Sequence, residues 1–331
     1  MAPVFGIVGA TGAVGREMIR VLCDRQPTCI IRLFASSRSA GTIISISAAE
    51  MTVTLTVEEF SVELAQECDI VLLAVSGSFA QQHAKAISEK AIVIDNSSAF
   101  RYDADVPLVV PEINPPPDDA RLIANPNCTT AIAAMALWPL HCAFGLKKVI
   151  VSSYQAASGA GQEGMQELRE GTKQFLNGEE VKHSVFSHPL PFNVIPHIDV
   201  LQPNGYTKEE MKVVWETQKI FQSDVLVSCT AVRIPTMRAH AEAITIETEK
   251  EISVDAARAI LEKAPGIVVI DDVEKLQYPT SLSASGKYDV EVGRLRQSLV
   301  FGSKGLDLFV CGDQLLRGAA LNAVLIAETL L

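Results

Sequence analysis

The stretch "ANPNCTTAIAAMALWPL" sets Cys128 between an Asn-Pro-Asn turn and a long apolar run. A thiol in the first turn of a helix feels the positive end of the helix dipole, which favours the thiolate. Backbone amides around Asn127 and Cys128 would also face a developing oxyanion. A free cysteine is more often a small buried hydrophobe, so this stretch alone leaves both readings open. His240 closes "SCTAVRIPTMRAH" in an otherwise apolar setting. Alone it reads as structural; with a thiol it makes a nucleophile–base pair. Arg233 lies on the preceding strand-like run, and a buried guanidinium there needs an anion, for which a planar carboxylate fits best. Its plain alternative is a surface ion pair. Glu209 and Lys212 are three apart on one face of a helix opened by a capping box, Thr207 to Glu210. An exposed ion pair is the plain reading of those two. "DNSSAFR" closes a predicted parallel strand and ends in Arg101. Loops at such strand ends line ligand crevices, so Arg101 is a candidate anion group. Gln155 stands near a strand end, followed by the Gly-rich "GAGQEG".

A second chemistry is carried by "GIVGATGAVG", where Gly9, Gly12 and Gly15 turn a strand into a helix. That spacing suits a tight turn, close backbone approach to a pyrophosphate and amides aimed at it. The bland alternative is a Gly-rich turn of a generic α/β protein. The next strand ends "FASSRSAG", with Ser36, Ser37, Arg38 and Ser39 where an NAD-binding chain usually carries an acid. A guanidinium beside hydroxyls matches a 2′-phosphate, which points to NADP.

Two scaffolds must hold these groups. The first third alternates apolar strand runs ("VFGIVGA", "IIRLFAS", "DIVLLAVS", "AIVIDNS") with helix patterns such as "AVGREMIRVLCDR". This predicts a parallel sheet covered on both faces, a Rossmann-like α/β domain. "PEINPPPDDA" is loop. After Cys128 come a long apolar helix, the strand "LKKVIVSSYQAAS", and two strands with more alternation, "VLVSCTAVRIP" and "HAEAITIETE". They predict an α+β domain with a mostly antiparallel sheet. The terminal "GDQLLRGAALNAVLIAETLL" is an apolar helix pattern with small residues Gly318, Ala319 and Ala320, expected to pack back on the first domain. The expected boundaries are 1–127 with 308–331, and 128–307.

Bulk properties narrow the partners. At 331 residues the chain exceeds one ordinary core, and its 48% hydrophobic content makes it foldable. A net charge of −11 argues against a nucleic-acid or acidic-membrane partner. The cysteines are odd in number and scattered, without CxxC, so neither a disulfide framework nor a metal site is expected, and a cytoplasmic location fits. The strand pattern starts at once, so no leader sequence is expected before it, the alternative being an organellar transit peptide already removed.

Taken in order, "GATGAVG", "SSRSAG", "DNSSAFR", "VVPEIN", "NPNCTT", "YQAASGAGQEG", "FNVIPHID", "EEMK", "RIPTMRAH" and "RGAALNAVLIAE" resemble the aspartate-semialdehyde dehydrogenases, in their bacterial-type branch. The resemblance covers nearly the whole chain. It implies NADPH-dependent reduction of L-aspartyl-4-phosphate to L-aspartate-4-semialdehyde and phosphate, in lysine, threonine, methionine and isoleucine biosynthesis. It also implies a homodimer or homotetramer built through the second, catalytic and dimerisation domain. By resemblance, Cys128 is the nucleophile that forms an acyl-thioester, His240 the acid/base, and Gln155 orients the acyl group. Arg233 takes the substrate carboxylate and Glu209 its amino group, while Arg101 and Lys212 hold the phosphate. Gly9, Thr11, Gly12, Ala13, Val14, Ser36, Arg38, Ser39, Ser76, Ser158 and Gly159 contact NADP, with Gln314 near the nicotinamide. Three stretches depart from the family pattern: "SGSF" at Ser76–Phe79, "HAEA" without the usual Ser after His240, and Asp313 where Asn is common. The last bears on the nicotinamide side. The rival readings are an N-acetyl-glutamyl-phosphate reductase, with the same acyl-phosphate chemistry, and a non-catalytic dinucleotide-binding paralogue, which would be expected to lose Cys128 or His240.

Overall fold

A computed structural model describes residues 2–48 and 51–331 of the chain. They form two units, Met1–Asn127 with Ala319–Leu331, and Cys128–Gly318.

The first unit runs β1 (Val4–Val8), α1 (Ala13–Arg25), β2 (Ile30–Ala35), β3 (Ile43–Ala48), β4 (Met51–Glu59), α2 (Val62–Ala65), β5 (Ile70–Leu73), α3 (Gly77–Ser88), β6 (Ile92–Asp95) and β7 (Leu122–Ala124). Its sheet has the order β3-β4-β2-β1-β5-β6-β7. All neighbours are parallel except β3 and β4. The central strands are the Val/Ile/Leu runs, and β5 is buried along its whole length, as a sheet covered on both faces requires. The antiparallel β3–β4 edge was not legible, because its alternating Thr and Ser residues give a half-polar pattern. The C-terminal helix (Leu321–Glu328) belongs to this unit. Glu328 receives Arg25 at 2.6 Å, and the Asn322 amide donates to Val109 O at 2.9 Å and to Asn125 Oδ1 at 2.6 Å.

The second unit carries α4 (Cys128–Phe144), β8 (Leu146–Gln155), a 3₁₀ turn (Ala157–Ala160), α5 (Gly161–Leu176), α6 (Lys208–Phe221), β9 (Leu226–Arg233), β10 (His240–Thr248), α7 (Val254–Leu261), β11 (Ile267–Val269), α8 (Ser281–Ala284), β12 (Val290–Gln297) and β13 (Gly305–Gly312). The sheet order is β11-β12-β13-β10-β8-β9. The β8–β9 and β11–β12 pairs are parallel and the others antiparallel. Residues 308–318, expected with the first domain, lie in this unit. The reason is that β13 is hydrogen-bonded between β10 and β12, so a boundary at 308 would cut a strand. Mostly apolar and buried from Thr129 to Leu137, α4 runs on past Pro139 and ends against Gly145, whose φ of +71° suits a helix terminus. Among the described residues no helix is long and apolar enough to cross a membrane.

Candidate active site

The register of the second sheet fixes the site. His240 ends β10, Gln155 ends β8 and Arg233 ends β9; Gln155 pairs with Arg233, and the neighbouring Ala241 pairs with Tyr154. Residues of equal parity share a face, so His240, Gln155 and Arg233 stand side by side. All three are buried, at 0%, 1% and 6% exposure.

Each is held by its neighbours. The Gln155 amide donates to Thr129 Oγ1 at 2.8 Å and to Glu209 Oε1 at 3.3 Å. Arg233 donates to Ala156 O at 2.5 Å and lies over the Phe186 ring. Burial pulls its guanidinium below the ordinary arginine value, while Glu209 and Cys128 push it back up. His240 Nδ1 accepts the Ala156 N–H at 3.0 Å. A neutral imidazole whose Nδ1 is an acceptor carries its proton on Nε2. Burial, and then the charge of Arg233, hold His240 well below its usual range, so the ring is neutral at physiological pH. Its buried Nε2 has no hydrogen-bond partner.

Cys128 is the first residue of α4 and is partly exposed. Cys229 and Cys311, by contrast, are buried, and burial raises the thiol pKa of each. Two glycines allow close approach here. A Cβ on Gly318 would sit 2.5 Å from Cys128 Cβ, and one on Gly159 would sit 2.7 Å from Arg233 Nη1 and 3.3 Å from His240 Nε2. The role of Gly318 was missed. Its small-residue stretch read as packing for a helix on a sheet, whereas it passes against the backbone and Cβ of Cys128.

Glu209 and Lys212 occupy the first turns of α6. The expected capping box is present: Thr207 N donates to Glu210 Oε2 at 2.7 Å, and Glu210 N to Thr207 Oγ1 at 3.3 Å. The exposed-pair reading fails. Glu209 is 6% exposed, and Lys212 Nζ lies 2.9 Å from it and 2.8 Å from Asp199. The Lys212 pKa is raised: burial opposes the charge, but Glu209 and Asp199 outweigh it. Arg233, Glu209, Lys212, Asp199, His197, Ile195 and Gly159 line one cavity of about 560 Å³. Asp199 and His197 also escaped the sequence reading, since "FNVIPHID" has no helix or strand period to orient its side chains.

Gln314 and Ser158 are joined by a hydrogen bond, and Gln314 Oε1 accepts Ala239 N at 2.8 Å. Asp313 is wholly buried and takes Arg238 Nε at 2.5 Å and Gly286 N at 2.6 Å. Its other oxygen accepts Leu315 N and Leu316 N, so the carboxylate is committed to Arg238 and to three backbone amides.

In the first unit, Gly9 has φ +84°, and a Cβ there would lie 2.2 Å from Ala74 O; on Gly15 it would meet Gly9 O at 2.4 Å. Both positions demand glycine. Gly12 is the N-cap of α1 without a side-chain cap, so Ala13, Val14 and their neighbours present the open amides of a helix start. A cavity of about 410 Å³ beside this turn is lined by Gly9, Thr11, Ser36, Ser39 and Ser76, with Phe60, Phe79 and Glu59. Ser76 also caps α3. Arg38 is exposed in the turn leaving β2. These residues fit a dinucleotide: a cradle that a Cβ would fill, uncapped amides, and a cavity at the strand ends. Arg101 belongs to this unit too, buried and fastened to Asn125 O and Asn96 O, each at 2.8 Å.

Comparison with known proteins agrees across the chain. The family profile "Semialdehyde dehydrogenase, NAD binding domain" matches residues 5–120, and "Semialdehyde dehydrogenase, dimerisation domain" matches 137–317. The aspartate-semialdehyde dehydrogenase of Aquifex aeolicus is 45% identical over 98% of this chain and 96% of its own length. That of Campylobacter jejuni is 46% identical over 97% and 95%. The crystal structure of Vibrio cholerae aspartate semialdehyde dehydrogenase II complexed with ASA superposes with a TM-score of 0.93 at 39% identity, covering 100% of this chain and 98% of that one. The Candida albicans aspartate semialdehyde dehydrogenase with NADP does so at 0.76 and 25% identity, again covering 100% and 98%.

Proposed function

The chain belongs to the aspartate-semialdehyde dehydrogenase family, and from that premise we propose that it reduces L-aspartyl-4-phosphate to L-aspartate-4-semialdehyde, releasing phosphate, in lysine, threonine, methionine and isoleucine biosynthesis. The observation that carries this is the linkage of Arg233, Glu209 and Lys212 around one cavity, with Gln155 bonded to Glu209 and His240 beside Arg233.

The substrate carboxylate pairs with the Arg233 fork, its ammonium with Glu209, and its phosphate with Lys212 and Arg101. The Cys128 thiolate attacks the acyl carbonyl; a C–S bond forms, the C–O bond to phosphate breaks, and phosphate leaves with its electrons. Bound NADPH supplies the hydride that reduces the resulting thioester. Loss of the C–S bond then frees the aldehyde and returns the thiolate. Thiolate enters and thiolate leaves, and the one proton the reduction consumes, drawn from solvent, ends on the departing phosphate, so the thiolate itself needs no base. His240 accordingly works as an Nε2–H donor to the carbonyl oxygen as negative charge builds there, and Gln155 holds the acyl group. Of the acid/base role expected for His240, the donor half is what its hydrogen bonding favours.

The 2′-phosphate of NADP is held by Arg38 with Ser36 and Ser39. Ser158, Gly159 and Gln314 serve the nicotinamide end. Glu59 also lines the ribose-side cavity, so the preference for NADP rests on Arg38. The "dimerisation domain" description of 137–317 supports a homodimer or a tetramer of two such dimers. The test is the reverse reaction: aspartate semialdehyde and phosphate should yield NADPH from NADP, and far less NADH from NAD. Equal use of the two would remove Arg38 from the cofactor set, and no phosphate-dependent product would remove the reaction.

A further inference from the structure

The segment that precedes α6 brings a fourth charged group to the cavity. It is tied to the edge of the sheet at Arg233: Ile195 N donates to Arg233 O at 2.9 Å, and Arg233 N to Ile195 O at 2.8 Å. Further along, Asp199 takes a left-handed backbone, φ +69°. Its Oδ1 accepts Val200 N at 2.8 Å, which leaves Oδ2 for Lys212 Nζ at 2.8 Å. Lys212 keeps Glu209 as its other partner at 2.9 Å. Two cations, Arg233 and Lys212, thus face two carboxylates, Glu209 and Asp199, around one cavity.

The proposed substrate has three charged groups. Its carboxylate takes Arg233, its ammonium takes Glu209 and its phosphate takes Lys212, which leaves Asp199 without a counterpart. A phosphate on Lys212 Nζ and a carboxylate on the same nitrogen are adjacent anions, and they repel. The Asp199 side chain is 29% exposed against 13% for Lys212, so it has access to water when it gives up the contact.

We propose that Asp199 is a displaceable counter-ion, holding the Lys212 ammonium in place before substrate binds and yielding it to the incoming phosphate. The inference rests on the reading that Lys212 takes the phosphate. Asp199 acts through Lys212 and is a positioning residue. It keeps the ammonium aimed into the cavity, weakens phosphate binding by competition, and drives phosphate off when it recaptures Lys212 after the acyl transfer.

The test is steady-state kinetics of Asp199→Asn and Asp199→Gly in the reverse direction, with phosphate and aspartate semialdehyde varied separately. Asn and Gly both tolerate the left-handed backbone, so neither variant strains the fold. The phosphate KM should fall about fivefold in both variants, because a competing charge is gone. The semialdehyde KM should stay within about twofold, since Arg233 and Glu209 are untouched. A phosphate KM that rises would make Asp199 a fixed support for Lys212, and one that does not move would remove it from the reaction; either overturns the proposal. Wild-type protein that makes no NADPH from phosphate and aspartate semialdehyde would instead overturn the underlying reaction.

Discussion

Cys128 and His240 illustrate how far residue type alone reaches. That a thiol and an imidazole were both present, with an arginine between them in the chain, was legible. Which nitrogen of His240 carries the proton was not, because it depends on the amide of Ala156, the residue just after β8, which sheet register brings to the ring. The tautomer makes a prediction. Gln, whose Nε2–H₂ reaches a similar position, should retain activity in His240→Gln at least about tenfold above His240→Ala, given that one oxyanion donor is worth about a hundredfold in kcat. Equal collapse of the two variants, with folding unchanged, would favour a base over a donor. Arg233, Glu209 and Lys212 were legible as charged groups but not as buried ones. An i,i+3 pair on a helix looks the same in sequence whether that face meets water or a cavity.

At the scale of elements, the glycine turn after β1 and the capping box of α6 were readable because each is a local rule in consecutive residues. The β3–β4 pair is hidden by its half-polar alternation, and the place of β13 depends on pairing with the distant β10, which left little local trace. Strand β10 shows a further consequence of register. It carries Glu242 to the same face as His240, wholly buried, with neither carboxylate oxygen hydrogen-bonded. Burial raises its carboxyl pKa well above 4.5. Such a group keeps its proton in the folded protein after the unfolded chain has lost it, so stability falls as pH rises from about 4.5 toward the folded-state value. Glu242→Gln removes that titration while keeping the shape. Its Tm should exceed the wild type's by at least about 2 °C at neutral and alkaline pH, with the gap closing in acid. Thermal melts across pH would show it; a Gln variant that is less stable at alkaline pH would mean that the carboxylate is ionised and paired.

For the whole molecule, the two-unit α/β architecture and the family were legible from the order of many short motifs, each weak alone. The boundary near the C-terminus was not, since an apolar helix pattern does not announce that the strand before it belongs to another sheet. The acidic net charge of −11 makes the cationic groups of the site specific features rather than part of a basic surface. In the proposed reaction, Arg233 and Lys212 of the second unit, and Arg38 and Arg101 of the first, are the recognition elements for anions. In the proposed mechanism all of these groups serve one thiolate. The most direct test compares wild-type protein with Cys128→Ala in aspartate semialdehyde, phosphate and NADP, following NADPH and measuring NADP affinity in the same preparations. The wild type should make NADPH and the variant none, with equal NADP affinity in both. Substantial NADPH from Cys128→Ala would contradict that mechanism.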